Sequence, residues 1–136
     1  MTPEQLCQLA KEAMTRSYCP YSGYKVGAAL LCADGTVYAG CNIENASFTP
    51  TICAERTAIF KAVSDGHRDF KAIAVCGGKD GVITGCFPPC GVCRQVMREF
   101  CGDDFQVILV GTDNTYETRT LGQLLPDSFR ADTHMV

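Results

Sequence analysis

Two short segments constrain this chain more than anything else in it: Thr51-Ile52-Cys53-Ala54-Glu55-Arg56 and, later, Pro89-Cys90-Gly91-Val92-Cys93-Arg94. Cys90 and Cys93 are three apart, so in the first turn of a helix their sulfurs face one side and can grip one ion. Cys53 would complete a three-thiolate set and leave the fourth tetrahedral position open to water, as catalytic rather than structural zinc sites do. Glu55, two residues from a ligand, would stand beside that water as an acid/base. A fold for this sequence must therefore bring two distant segments to one point. Both are expected at helix starts, where unpaired amides and the helix dipole stabilise thiolates.

Three thiolates give a net negative ligand set and a weakened Lewis acid. Arg56 and Arg94, each beside a ligand in sequence, are expected to hydrogen-bond thiolate sulfur and draw charge back. The alternative is a pair of solvent-facing arginines. His67 and His134 have no partner at metal spacing and are expected to be solvent-exposed. Cys90-Gly91-Val92-Cys93 could instead be a dithiol redox pair, but that leaves Cys53-Ala54-Glu55 without a purpose. A closed structural zinc site would need a fourth ligand, for which Cys86 is the nearby donor.

Composition narrows the class. A chain of 136 residues with 46% apolar and 20% charged content is long enough for a real core and is expected to form one domain. The longest nearly apolar run, Val26 to Ala33, is strand-length, and no basic-then-apolar leader opens the sequence. A cytoplasmic location without membrane attachment is the expectation. The seven cysteines outside the proposed site then read as free core thiols rather than disulfides. A net charge of −3 without a basic stripe argues against a nucleic-acid partner and for small-molecule chemistry.

Thr2-Pro3-Glu4-Gln5 predicts a capped helix with Leu6, Leu9, Ala10, Ala13 and Met14 on its apolar stripe, ending near Arg16. Val26–Cys32 and Val37–Cys41 read as a hairpin around Asp34-Gly35. A second helix is expected from Ile52 with Thr51 as N-cap, closed by Gly66. Phe70–Cys76 reads as an inner strand and residues 77–85 as loop. A third helix is expected from about Cys90, with Val92, Val96, Met97 and Phe100 inward, then strands at Val107–Val110 and Thr115–Thr120 and a helical turn at Leu121–Leu125. One helix, a hairpin, then alternating helices and strands make an α/β fold with a helix-flanked mixed sheet.

Asn42 and Glu44, at i and i+2 on a strand leading to Cys53, would share one face and could hold sugar hydroxyls; a solvated strand end is the alternative. Beyond this pair, Cys-Ala-Glu followed by Pro-Cys-x-x-Cys matches the zinc-deaminase pattern, with Cys in the place of a first-ligand His and a Glu that is not a ligand. Together with Val26-Gly27-Ala28-Ala29, Asn42-Ile43-Glu44-Asn45-Ala46, Cys53 to Ala58, Pro89 to Gln95 and Leu124-Leu125-Pro126, the chain resembles the short cytidine deaminases along nearly its whole length.

The resemblance implies a three-layer α/β/α fold on a central mixed five-stranded sheet, with one catalytic domain over residues 1–136. It implies a homotetramer with sites near subunit interfaces, and hydrolysis of cytidine and 2′-deoxycytidine to the uridines and ammonia in pyrimidine salvage. Carried over to this sequence, Cys53, Cys90 and Cys93 would hold one Zn²⁺ per chain and Glu55 would shuttle protons. Asn42 and Glu44 would take the ribose, and the Ala54 backbone would read the pyrimidine edge. Arg56 would tune the thiolates, and Phe129 would reach a neighbouring subunit's site. Tyr24 stands where a phenylalanine is common and Phe48 where a tyrosine is common, both at substrate-contact positions. Competing readings are a blasticidin-S-type deaminase, an editing deaminase, which the acidic charge disfavours, and a non-catalytic zinc module.

Overall fold

Thr2 opens the first helix as its sequence predicts: its hydroxyl accepts from the Gln5 amide, and the Gln5 side chain accepts from the Thr2 amide. The computed structural model describes residues 1–135. In chain order the elements are α1 (Pro3–Met14), β1 (Tyr24–Cys32), β2 (Val37–Cys41), α2 (Ala54–Ser64), β3 (Phe70–Lys79), α3 (Gly91–Phe100), β4 (Gln106–Val110), β5 (Tyr116–Thr120), α4 (Leu121–Leu124) and α5 (Ala131–His134).

The five strands form one sheet in the order β2-β1-β3-β4-β5. Only β3 and β4 run parallel, so the sheet is mixed, as expected. α1 covers one face, packing Leu6, Ala10 and Met14 on Ala29, Ala74, Cys76 and Ile108. α2 and α3 cover the other, where Ala58, Ile59 and Met97 meet Ala28, Leu30, Ile73, Val75 and Val107. Three layers result, with β3 buried on both faces except at Lys71 and Lys79.

Four local expectations need correction. α2 begins at Ala54 rather than Ile52, and its N-cap is Cys53 rather than Thr51. The cause is a bridge: the amide and carbonyl of Ile52 are both bonded to Ile43, each at 3.0 Å, so Ile52 is held extended. β3 continues through Gly77 and Gly78 to Lys79. There the glycines mark close backbone approach, since a Cβ on Gly78 would lie 1.8 Å from the Val82 carbonyl oxygen. Val92 faces solvent; Met97 is buried with Cys93, and Val96 and Phe100 are half-buried against the core as expected. His67 is only partly exposed and packs against Asp34 and Tyr38.

α2 lies unusually close to β2. A Cβ on Gly40 would sit 2.6 Å from both the Ala54 carbonyl oxygen and the Ala58 amide. Gly40→Ala is therefore expected to push the start of α2 off the sheet, at a cost of about 1–3 kcal/mol or more. Urea denaturation with parallel zinc analysis checks this, and an unchanged midpoint would contradict it.

Candidate active site and metal centre

Cys53 and Cys90 occupy equivalent places. Each is the extended N-cap residue of a helix, with φ/ψ of −76°/155° and −68°/167°. α2 and α3 pack on the same sheet face, and their N-terminal ends converge. The sulfurs of Cys53, Cys90 and Cys93 lie within 4.8 Å of one another. Cys53 Sγ and Cys90 Sγ are 3.7 Å apart, close to the ~3.8 Å between two sulfurs on a tetrahedral ion with 2.3 Å bonds. Cys93 is fully buried, Cys53 partly and Cys90 exposed, so the cluster has one open side.

Electrostatics favour a thiolate here. The neighbouring Cys93 thiol, then Arg56 and Cys90, hold the Cys53 pKa down to about 5. The Cys53 sulfur, then burial, pushes the Cys93 thiol up. Arg56 Nη2 donates to Cys53 Sγ at 3.3 Å. Arg94 lies elsewhere: its Nε donates to the Pro89 carbonyl and its Nη1 to the Leu124 carbonyl, both at 2.8 Å. It fastens the start of α3 to the end of α4 and donates to no sulfur among the described residues.

Glu55 is 3% exposed. Burial pushes its carboxyl up to about 7, with the Cys53 charge adding to the effect. Its Oε1 is buried with no hydrogen-bond partner among the described residues. An orphaned carboxylate oxygen costs free energy unless something fills the space beside it. Together with three converging sulfurs, this donor set fits a zinc ion and a small ligand next to it. Ala54 carries the first amide of α2, which a helix leaves without an internal partner.

The segment before α2 is a junction. The Asn42 Oδ1 accepts from the Val26 amide at 2.9 Å, and its Nδ2 donates to the Tyr24 carbonyl at 2.8 Å. Glu44 Oε1 accepts from the Tyr21 and Ser22 amides at 2.9 and 3.1 Å, while its Oε2 accepts from the Ser22 hydroxyl. The Ser22 hydroxyl, then these amides, hold the Glu44 carboxyl below its usual range. Glu44 lines an open cavity of about 680 Å³ with Pro20, Tyr21, Ser22, Asn45 and Phe48.

Tyr24 is exposed, with its ring 6.3 Å from Phe87 and the Lys79 ammonium 5.3 Å away. Phe48 is exposed at φ 62°, a left-handed backbone rare for a bulky residue, and meets Tyr21 edge-on. Phe129 is also exposed and stacks on His134, while its carbonyl accepts from Gln95 on α3. Cys86 points toward the Leu109 carbonyl and Glu117 and lies outside the sulfur cluster, so it does not close the set.

Two contributors escape sequence reading. Ser22 orients Glu44 but sits in a Pro-Tyr-Ser-Gly stretch that announces only a turn. Thr57 donates its hydroxyl to the Cys41 and Cys53 carbonyls at 3.0 and 3.3 Å, tying β2 to the metal segment. Its position four residues after Cys53 was the available signal, since helical threonines commonly bond the carbonyl four residues back.

The sequence model of the cytidine and deoxycytidylate deaminase zinc-binding region matches residues 1–109. A cytidine deaminase of Sporosarcina psychrophila is 50% identical over 129 residues, covering 95% of this chain and 92% of that relative. One from Mycobacterium tuberculosis is 40% identical over 123 residues, covering 90% and 86%. The crystal structure of cytidine deaminase from Burkholderia pseudomallei matches with a TM-score of 0.87 at 46% identity, covering 95% of this chain and 100% of that one. The likeness runs well past the metal segments into the helices and strands that position them, and the chain belongs to the cytidine and deoxycytidylate deaminase zinc-binding family.

Proposed function

We propose that this chain hydrolyses cytidine and 2′-deoxycytidine to the corresponding uridine and ammonia, within one catalytic domain, with Glu55 as the proton carrier. The observation that carries this reading is the unpartnered Oε1 of Glu55, buried beside three converging sulfurs. Cys53, Cys90 and Cys93 would hold a zinc ion, which would supply Lewis-acid activation of water.

The remaining work falls to the chain. Glu55 takes a proton from the attacking water and passes it to ring N3, which makes C4 electrophilic. After attack at C4, Glu55 takes the second proton from the new C4 hydroxyl and delivers it to the departing amine; the C–N bond breaks as the C4 carbonyl forms, so one water is consumed for each ammonia released. A carboxyl that titrates near neutrality can both accept and return a proton at physiological pH. The Ala54 amide faces the pyrimidine edge. Asn42 and Glu44 each keep hydrogen-bonding capacity beyond their protein contacts, since an amide offers two donors and two lone pairs and a carboxylate about four acceptor sites. These remaining sites take the ribose hydroxyls, with Tyr24 and Phe48 flanking the nucleoside.

The exposed Phe129 ring is assigned to a neighbouring subunit's site in a homotetramer. Among the described residues no helix is long and apolar enough to cross a membrane, and salvage of free nucleosides in the cytoplasm is the proposed setting. Arg56→Gln is expected to keep the fold and weaken zinc binding about 10- to 100-fold, the usual effect of removing a partner of a metal ligand. Competition with a chromogenic chelator measures this, and unchanged affinity would remove Arg56 from the site.

Loss of nucleoside absorbance and release of ammonia test the function, with cytidine, 2′-deoxycytidine, dCMP and blasticidin S assayed side by side. Turnover of the two nucleosides above the others is expected. Preference for blasticidin S, or no turnover by zinc-loaded protein, would overturn it.

A further inference from the structure

Beyond the deaminase centre, the structure gathers a second set of metal-ligating side chains. The turn after α2 folds His67 back onto the β1–β2 hairpin. There Cys32 Sγ, a carboxylate oxygen of Asp34 and a ring nitrogen of His67 lie within 4.8 Å of one another. None of the three has a part in the proposed deamination. They sit at the far end of α2 from Cys53; its eleven residues span about 16 Å of helical rise. The two clusters are therefore separate sites.

Each donor is held in place. Cys32 is 1% exposed and is fixed by its amide bond to the Thr36 carbonyl at 2.8 Å and by its carbonyl, which accepts from Gly35 at 3.0 Å. Asp34 Oδ1 accepts from the Thr36 amide at 3.0 Å, which leaves Oδ2 facing His67. The His67 amide donates to the Ala62 carbonyl at 2.9 Å, and its ring meets Tyr38 edge-on at 5.4 Å. Tyr38 is itself anchored by donating its hydroxyl to Asp65 at 2.6 Å.

The spacing of an ion pair here also suits a shared metal ion. His67 Nδ1 and Asp34 Oδ2 are 3.7 Å apart, too long for a good hydrogen bond. That distance is close to the ~3.3 Å that separates nitrogen and oxygen ligands on one tetrahedral ion with bonds near 2.05 Å. Sulfur, imidazole and carboxylate together suit a borderline divalent cation of the zinc and cobalt class rather than magnesium or calcium. The buried sulfur forms the floor, and the exposed Asp34 leaves the other side open to an entering ion and a water.

We propose that Cys32, Asp34 and His67 form a second site for a zinc-class divalent cation, of lower affinity than the three-cysteine site, clamping the β1–β2 hairpin to the α2–β3 turn. On binding, the Cys32 thiol proton passes to solvent as the sulfur coordinates the ion.

Cobalt(II) added to the zinc-loaded full chain tests this, with zinc content followed throughout. One equivalent of cobalt is expected to give thiolate-to-cobalt charge-transfer absorption while one zinc per chain is retained. His67→Ala and Asp34→Asn are each expected to weaken that cobalt binding at least tenfold, leaving the zinc content and any nucleoside turnover unchanged. No charge-transfer band in the wild-type protein overturns the proposal. A band that persists unchanged in both variants overturns it too, since the sulfur would then belong to another cysteine. The readout is metal binding, so it stands or falls separately from the deaminase reading.

Discussion

Glu55→Gln is expected to retain zinc and the fold while lowering turnover by about 10²- to 10⁴-fold or more. Glutamine nearly preserves the shape of the side chain and keeps an oxygen where the unpartnered Oε1 now sits. What it removes is the ability to take a proton from water and return it to the ring and the amine. With Glu55 3% exposed, bulk water has little access to stand in for it. Steady-state deamination and zinc analysis on the same preparation measure both halves of the expectation. Activity near wild type would remove Glu55 from the mechanism, and loss of zinc would make it a structural support for the ligand set.

Cys93→Ser should fail differently. Cys93 is fully buried at the base of the cluster, and a serine hydroxyl is a poor substitute for a thiolate on zinc. The expected protein carries well below one zinc per chain and shows no turnover. It is also less stable, because free energy of metal binding to a site formed only in the folded state adds to folding. A loss of several kcal/mol corresponds to a fall in Tm of roughly 10 °C for a domain of this size. Metal analysis and thermal melts check this. Full zinc content would show that the three-sulfur set is wrongly assigned.

Much of this was legible in the sequence because it depends on local chemistry. The α1 capping box, the Asp-Gly hairpin, the apolar strands and the two cysteine segments at helix starts all follow from neighbours a few residues apart. Expectations failed where distant backbone intervened. Ile52 is drawn out of α2 by Ile43, and Gly77-Gly78 looks like loop until residues 82–87 lie across it. The expected inward Val92 yields to Cys93 and Met97, because the convergence of α2 and α3 sets the rotation of α3. Arg94 and Arg56 look alike beside their cysteines, yet only Arg56 reaches a sulfur. That difference depends on where Leu124 comes to rest.

Residue order alone was enough to read the candidate ligand types, their order, the acid two residues from the first cysteine and the α/β pattern. Spacing within a helical turn and side-chain pKa chemistry are properties of short segments. Packing of the whole chain was needed to bring Cys53 within 3.7 Å of Cys90, to bury Glu55 with an oxygen unpartnered among the described residues, and to turn Cys86 away. It alone brought His67 to Cys32 and Asp34. Those distances are fixed by the packing of two helices on a five-stranded sheet, where the position of each side chain depends on every layer beneath it.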